Sequence, residues 1–118
     1  MNEDCLTHDE KSTLLRLARA AIEQAVLDRG LPPVDPACLT PRLRAPGATF
    51  VTLTIDGELR GCVGALDAYQ PLYEDVREHA LGSALQDFRF PPLRASELAG
   101  VRIEVSRLTA PLLLEYAS

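Results

Sequence analysis

The sequence has no apolar run approaching the roughly 20 residues a membrane span requires, so no segment reads as one. It also lacks the basic start and apolar middle of a secretory signal. The chain opens with the acidic stretch "MNEDCLTHDE", and a cytoplasmic protein is expected. Cysteine is scarce: Cys5, Cys38 and Cys62 are odd in number, form no Cys-x-x-Cys pair and have no histidine at ligand spacing. That argues against a disulfide framework and against a zinc site, and for reduced thiols. Basic charge is short as well, with 12 Lys and Arg against 17 Asp and Glu, a formal net charge of -5. Nucleic-acid binding relies on an excess of basic side chains, so it is not expected unless arginines converge on one face. Lys11 is the sole lysine, and the bias toward arginine makes any single arginine weak evidence for a function. Phosphate-loop, dinucleotide, hydrolase-elbow and metalloprotease motifs are all missing, so no cofactor and no metal is indicated.

What is present suits one compact domain. The chain has 118 residues, 47% hydrophobic and 25% charged, enough to bury roughly two thirds of its unfolded surface. The stretch "THDEKSTLLRLARAAIEQAVLDRG" predicts a helix with Thr7 as N-cap and Glu10 closing a capping box. Leu14, Leu17, Ala18, Ala21, Ile22 and Ala25 fall on its inner face, and Arg16, Arg19 and Glu23 on its outer face. Gly30 can take a left-handed position at its end. Five prolines between Leu31 and Gly47 then predict an extended surface connection. Pro71 starts a second helix running to about Gln86, with Leu72, Val76, Ala80 and Ala84 inward and Gly82 marking a close approach. "DFRFPPL" reads as extended, and "GVRIEVSRL" as a third strand with Val101, Ile103 and Val105 on one face.

"ATFVTLTIDGELRGCVGAL" has the pattern of a β-hairpin. A two-residue Asp56-Gly57 turn would set Val51, Leu53 and Ile55 opposite Cys62, Arg60 and Glu58. A three-residue loop with Gly57 left-handed instead pairs Leu53 with Leu59 and Val51 with Gly61, and is preferred here. Phe50, Thr52, Arg60, Cys62 and Gly64 then share the other face.

Cys62 is the sharpest chemical candidate. It reads either as a nucleophile or modifiable thiol, with Arg60 on its face lowering its pKa, or as a small packing residue under the second helix. His79 could act as its base only if folding brings the two together. Gly61 and Gly64 either let a ligand reach the backbone or let the second helix pack closely. Asp87 and Arg89, flanking Phe88, could hold a ligand or fix their own loop.

"LRGCVG" at Leu59 to Gly64, "SALQDFRFPPL" at Ser83 to Leu93, Glu97-Leu98 and "IEVSRLT" at Ile103 to Thr109 together resemble the AMMECR-one domain, also called the AmmeMemoRadiSam system protein A type. The resemblance implies an α+β domain in which an antiparallel sheet with a β-hairpin is covered by two main helices. It supplies no established reaction. It does imply association with a radical SAM protein and a Memo-like protein. Its motifs fall on Leu59, Arg60, Gly61, Cys62 and Gly64, and on Asp87, Arg89, Phe90, Pro91 and Pro92; His79 belongs to neither. Members of that family continue past the third strand, so residues 1–118 read as a single domain lacking a C-terminal portion. Leu112, Leu113 and Leu114 would then lose their cover, and self-association is expected. The function expected is binding of a small ligand or substrate in a cleft lined by Arg60, Gly61, Gly64, Asp87 and Arg89, with Cys62 as the reactive or contact group. A non-catalytic interaction module is the alternative.

Overall fold

The computed structural model describes residues 6–108 and the backbone of residues 113–117. Helix α1 (His8–Val26) begins as its sequence predicts. Thr7 Oγ1 accepts from the Glu10 amide at 3.1 Å, and the Glu10 carboxylate accepts from the Thr7 amide at 2.9 Å. Leu14, Ala18, Ala21 and Ile22 are buried, while Leu17 and Ala25 are only half-buried. Arg19 does not simply face water, as its spacing suggests. Its guanidinium donates to the Val101 carbonyl at 2.6 Å and reaches the Leu98 carbonyl at 3.4 Å, tying α1 to the start of a strand distant in sequence.

The proline-rich connection is not extended throughout. It contains a 3-10 turn at Pro36–Cys38, capped by the Asp35 side chain, and a single helical turn, α2 (Pro41–Arg44), which buries Leu43. Proline suits both, because its missing N–H and fixed φ cost nothing in the first turn of a helix. Helix α3 (Leu72–Leu85) follows Pro71 and buries Leu72, Val76, Ala80 and Ala84 as their spacing requires.

Four antiparallel strands, β1 (Ala48–Ile55), β2 (Glu58–Gly64), β3 (Val101–Leu108) and β4 (Leu113–Ala117), form one sheet in the order β2-β1-β3-β4. The fold is therefore α+β, with one more strand than the sequence reading found. Val51 pairs with Val105 and Leu53 with Ile103, all four buried under α1 and α3. Phe50, Thr52, Arg102, Glu104 and Ser106 lie on the opposite face and keep some exposure. Leu112 lies outside the described residues, and the expected exposure of the terminal leucines falls on side chains that are likewise outside them.

The hairpin register differs from the preferred three-residue loop. Ile55 pairs with Glu58 and Thr54 with Leu59, so the connection is the two-residue Asp56-Gly57 turn, with φ of 52° and 80°. Positive φ at both positions marks the turn whose twist matches a hairpin, and Asp-Gly is a favoured sequence for it. A bulge then shifts the register, so that Leu53 pairs with Gly61 and Thr52 with Cys62. The bulge resolves the mismatch that argued against a two-residue turn: one extra residue, Arg60, returns β2 to a register that keeps Gly61 and Val63 beside the apolar residues of β1. Leu59, expected inside, is 43% exposed.

Candidate functional site

Beyond the bulge, Cys62 sits on edge strand β2 and faces away from the helices. Its thiol lies 3.3 Å from Thr52 Oγ1 across the hairpin, and the residue is partly exposed. The Cys62 amide donates to Asp87 Oδ2 at 3.0 Å, and the Arg89 guanidinium approaches the Cys62 carbonyl at 3.4 Å. Asp87 and Arg89 thus occupy the outward amide and carbonyl of Cys62 on the edge strand, where an additional strand would otherwise bind.

The two side chains reach this position because "DFRFPPL" is not simply extended. It opens with a turn closed by the Phe90 amide on the Asp87 carbonyl at 3.0 Å, and only then runs extended to Leu93, whose amide returns to the Ala84 carbonyl. Within the turn Asp87 accepts from Arg89 Nε at 3.0 Å, Arg89 Nη2 at 2.7 Å and the Arg89 amide at 3.1 Å. The Arg89 hydrogen bonds and the Cys62 amide hold the Asp87 carboxyl far below the usual carboxylate range, and the same pairing raises Arg89.

Arg60, expected to act on Cys62, is committed elsewhere. It grips Glu97 with two bonds of 2.9 and 3.0 Å, and this bidentate pair lowers the Glu97 carboxyl. Its guanidinium carbon lies 6.0 Å from the Phe90 ring centroid, and that of Arg89 lies 5.5 Å from it, so one aromatic ring receives two cations. Beside them Arg60, Pro91, Arg94, Ser96 and Glu97 line a shallow recess of about 290 Å³. Phe88, between Asp87 and Arg89, projects from the turn with 96% of its surface exposed.

The glycines have packing roles. A Cβ on Gly61 would overlap the Ser83 carbonyl of α3, and one on Gly64 would overlap the Phe50 ring and the Thr49 carbonyl. The close approach at Gly82 is to the Val63 side chain, 3.0 Å from where a Cβ would stand. Ser83 completes the seam: its hydroxyl accepts from the Val63 amide at 3.0 Å and donates toward the Val51 carbonyl at 2.6 Å, bridging two strands.

His79 is not a base for Cys62, because it packs on the helix-covered face of the sheet. Its Nδ1 lies 3.1 Å from Asp75 Oδ2, which also accepts from the Thr49 amide and hydroxyl, both at 2.7 Å. Asp75 is fully buried and carries no motif in the sequence; its i,i+4 spacing to His79 on one helix face was the available signal. The structure therefore brings Arg60, Cys62, Asp87 and Arg89 together around one turn. It places Gly61 and Gly64 beneath them as space for neighbouring backbone and ring, and it leaves His79 on the far side.

The chain as a whole is similar to known proteins. The chain is 40% identical over 114 residues to a protein of Methanothermobacter thermautotrophicus, covering 96% of this chain and 58% of the relative. It is 43% identical over 113 residues to a protein of Methanopyrus kandleri, covering 93% and 54%. The crystal structure of the uncharacterised protein PH0010 from Pyrococcus horikoshii is similar at a TM-score of 0.80 and 34% identity, over 94% of this chain and 57% of that one. The chain thus spans a little over half the length of these relatives. The AMMECR1 family model matches residues 15–118, a span that contains the edge strand, the Asp87–Arg89 turn and all four strands, and the chain belongs to the AMMECR1 family.

Proposed function

We propose that the domain binds a small ligand or a substrate group against the outer face of β2, with Cys62 as its contact or reactive group. One observation carries this reading. The backbone of Cys62 is held on both sides of the residue by Asp87 and Arg89, while the residue remains partly exposed with its thiol beside Thr52. A cysteine used only for packing is typically buried and inert, whereas a functional thiol must be reachable and held in place. Asp87 and Arg89 hold its backbone, and Arg60, Gly61 and Gly64 lie beside it on the same strand. The family resemblance adds the setting of a multi-protein modification system, in which a radical SAM protein and a Memo-like protein are the proposed partners.

A second reading, a non-catalytic interaction module, is favoured by Phe88, an exposed aromatic on a turn stiffened by the Asp87–Arg89 pair. Alkylation of the native protein, with Cys5 and Cys38 replaced by Ser, separates the two. Under the first reading Cys62 is labelled without unfolding, and saturating the site with a bound substrate slows labelling. Protection until the protein unfolds removes the first reading. Co-purification with the two partners that is lost in Phe88→Ala and kept in Cys62→Ser would establish the second.

A further inference from the structure

Arg60 Nη1 is the one buried side-chain nitrogen or oxygen without a hydrogen-bond partner among the described residues. The other donors of this guanidinium are in use. Nε donates to Glu97 Oε2 at 2.9 Å, and Nη2 donates to Glu97 Oε1 at 3.0 Å and reaches the Pro92 carbonyl at 3.4 Å. Both hydrogens of Nη1 remain. Glu97 is not free to turn and serve them, because its Oε1 also accepts from the Arg94 amide at 2.9 Å. Nor does the Phe90 ring replace an acceptor. Its centroid stands 6.0 Å from the guanidinium carbon, at the outer limit of a cation–π contact, and the ring is shared with Arg89. A buried donor on a charged group is costly to leave unpaired, so Nη1 calls for an acceptor that the chain itself does not supply.

Arg60 also lines the recess of about 290 Å³ formed with Pro91, Arg94, Ser96 and Glu97. The charges there do not balance. Glu97 is held ionised by the Arg60 bonds and the Arg94 amide, and it cancels one of the two guanidiniums. The Arg94 side chain is exposed and forms no ion pair with a carboxylate among the described residues, so one positive charge is left over. Ser96 adds an exposed hydroxyl to the same wall. The volume is close to the lower end of the roughly 300–1,000 Å³ range of small-ligand pockets, which suits an acid group with a few further atoms.

We propose that this recess binds the oxyanion of a small ligand, a carboxylate or a phosphate, with Arg60 Nη1, the Arg94 guanidinium and the Ser96 hydroxyl as its donors. Arg60 then bridges two anions, Glu97 on its Nε side and the ligand at Nη1, an arrangement its planar fork of donors permits. Nη1 is covered in this structure, and the exposed, rotatable Arg94 is the part of the wall that moves to admit the anion. The inference deepens the β2 reading by naming the ligand's charged group. Cys62 lies two residues beyond Arg60 on the same strand, and the remainder of an anchored ligand extends toward it.

The test titrates the full chain with inorganic phosphate and, separately, with acetate, at an ionic strength held constant with chloride, and follows the arginine Nε–H and backbone amide resonances. Arg60 Nε–H and the Ser96 amide shift to saturation, while Arg102, exposed on the outer face of the sheet, does not. The anion that binds more tightly names the acid group. Arg94→Gln, at an exposed position, keeps the spectrum elsewhere and weakens binding about tenfold, and Arg94→Lys, which keeps the charge, weakens it less. Arg60→Lys abolishes binding, and Arg94→Gln carries the test if that variant does not fold. Shifts that rise without saturating, that match those of Arg102, or that Arg94→Gln leaves unchanged would overturn the site. Alkylation of Cys62 decides the β2 reading separately. A protected Cys62 with saturable phosphate binding removes that reading and leaves the oxyanion site, whereas a labelled Cys62 without saturation removes the site alone.

Discussion

At the residue scale, Asp87 has the most consequential set of contacts in the candidate site. One carboxylate neutralises Arg89, closes its turn and accepts the Cys62 amide from the sheet edge. Replacing it by Ala leaves that amide without an acceptor and Arg89 without a partner, although the core under α3 is untouched. Native-state hydrogen exchange at the Cys62 amide is expected to speed up about tenfold or more in Asp87→Ala, with the Val51 and Ile103 amides nearly unchanged. Asp87→Asn keeps an acceptor oxygen and gives a smaller effect. Equal acceleration across the whole sheet would show that Asp87 supports the fold globally rather than one strand position. None of this was readable from the "DFRFPPL" stretch alone. Its composition shows that a carboxylate and a guanidinium are near in sequence, and only the turn aims both at the same strand residue.

At the element scale, the decisive contact is α3 against β2. Gly61 lets the Ser83 carbonyl approach the strand, and backbone stands on both sides of the gap, so neither side can yield as a side chain would. Gly61→Ala is expected to cost about 3 kcal/mol in chemical denaturation, at the upper end of overpacking effects. Gly82 differs. A Cβ there meets only Val63 Cγ1 at 3.0 Å, a tight contact offset by the roughly 1 kcal/mol that Ala gains over Gly inside a helix. Gly82→Ala is therefore expected to remain within about 1 kcal/mol of the parent. If both substitutions were equally mild, the close packing of α3 on β2 would be wrong. The hairpin shows the same limit of local reasoning. Alternation identified both strands and the Asp-Gly turn, but a bulge at Arg60 cannot be read from periodicity, because it is chosen by how the strand beyond it packs under α3.

At the scale of the whole molecule, several carboxylates link the elements, and their shifts have one sign. Asp87 is lowered by Arg89 and the Cys62 amide, and Glu97 by Arg60 and the Arg94 amide. For Glu10 burial works against the ionised form, yet the bonds from Thr40 and Thr7 prevail and lower it too. Each group is more acidic folded than unfolded. Each therefore contributes stability that is complete above the unfolded carboxylate range, and this is lost as pH falls through the folded values. The melting temperature is expected to stay level from pH 7 to about 5 and to drop below about pH 4, where unfolded carboxylates take up protons. An Asp87→Asn, Glu97→Gln double variant has a lower neutral-pH melting temperature and a shallower acid fall. A melting temperature that rose on acidification would contradict the assignment.

By itself the sequence determined the α+β class, the two long helices with their buried faces, the capping box and three of the four strands. These follow from periodicity and local hydrogen bonding, which neighbouring residues settle among themselves. Resemblance carried by the "LRGCVG" and "DFRFPPL" motifs pointed to the family that the comparisons establish. Tertiary structure decided the rest: that Arg60 serves Glu97, that Asp87 and Arg89 hold Cys62, that Arg19 spans from α1 to Val101, and that Asp75 and His79 share a buried bond. Each of these joins groups through space, in most cases across tens of residues of chain, and the direction of a long side chain depends on the element it meets.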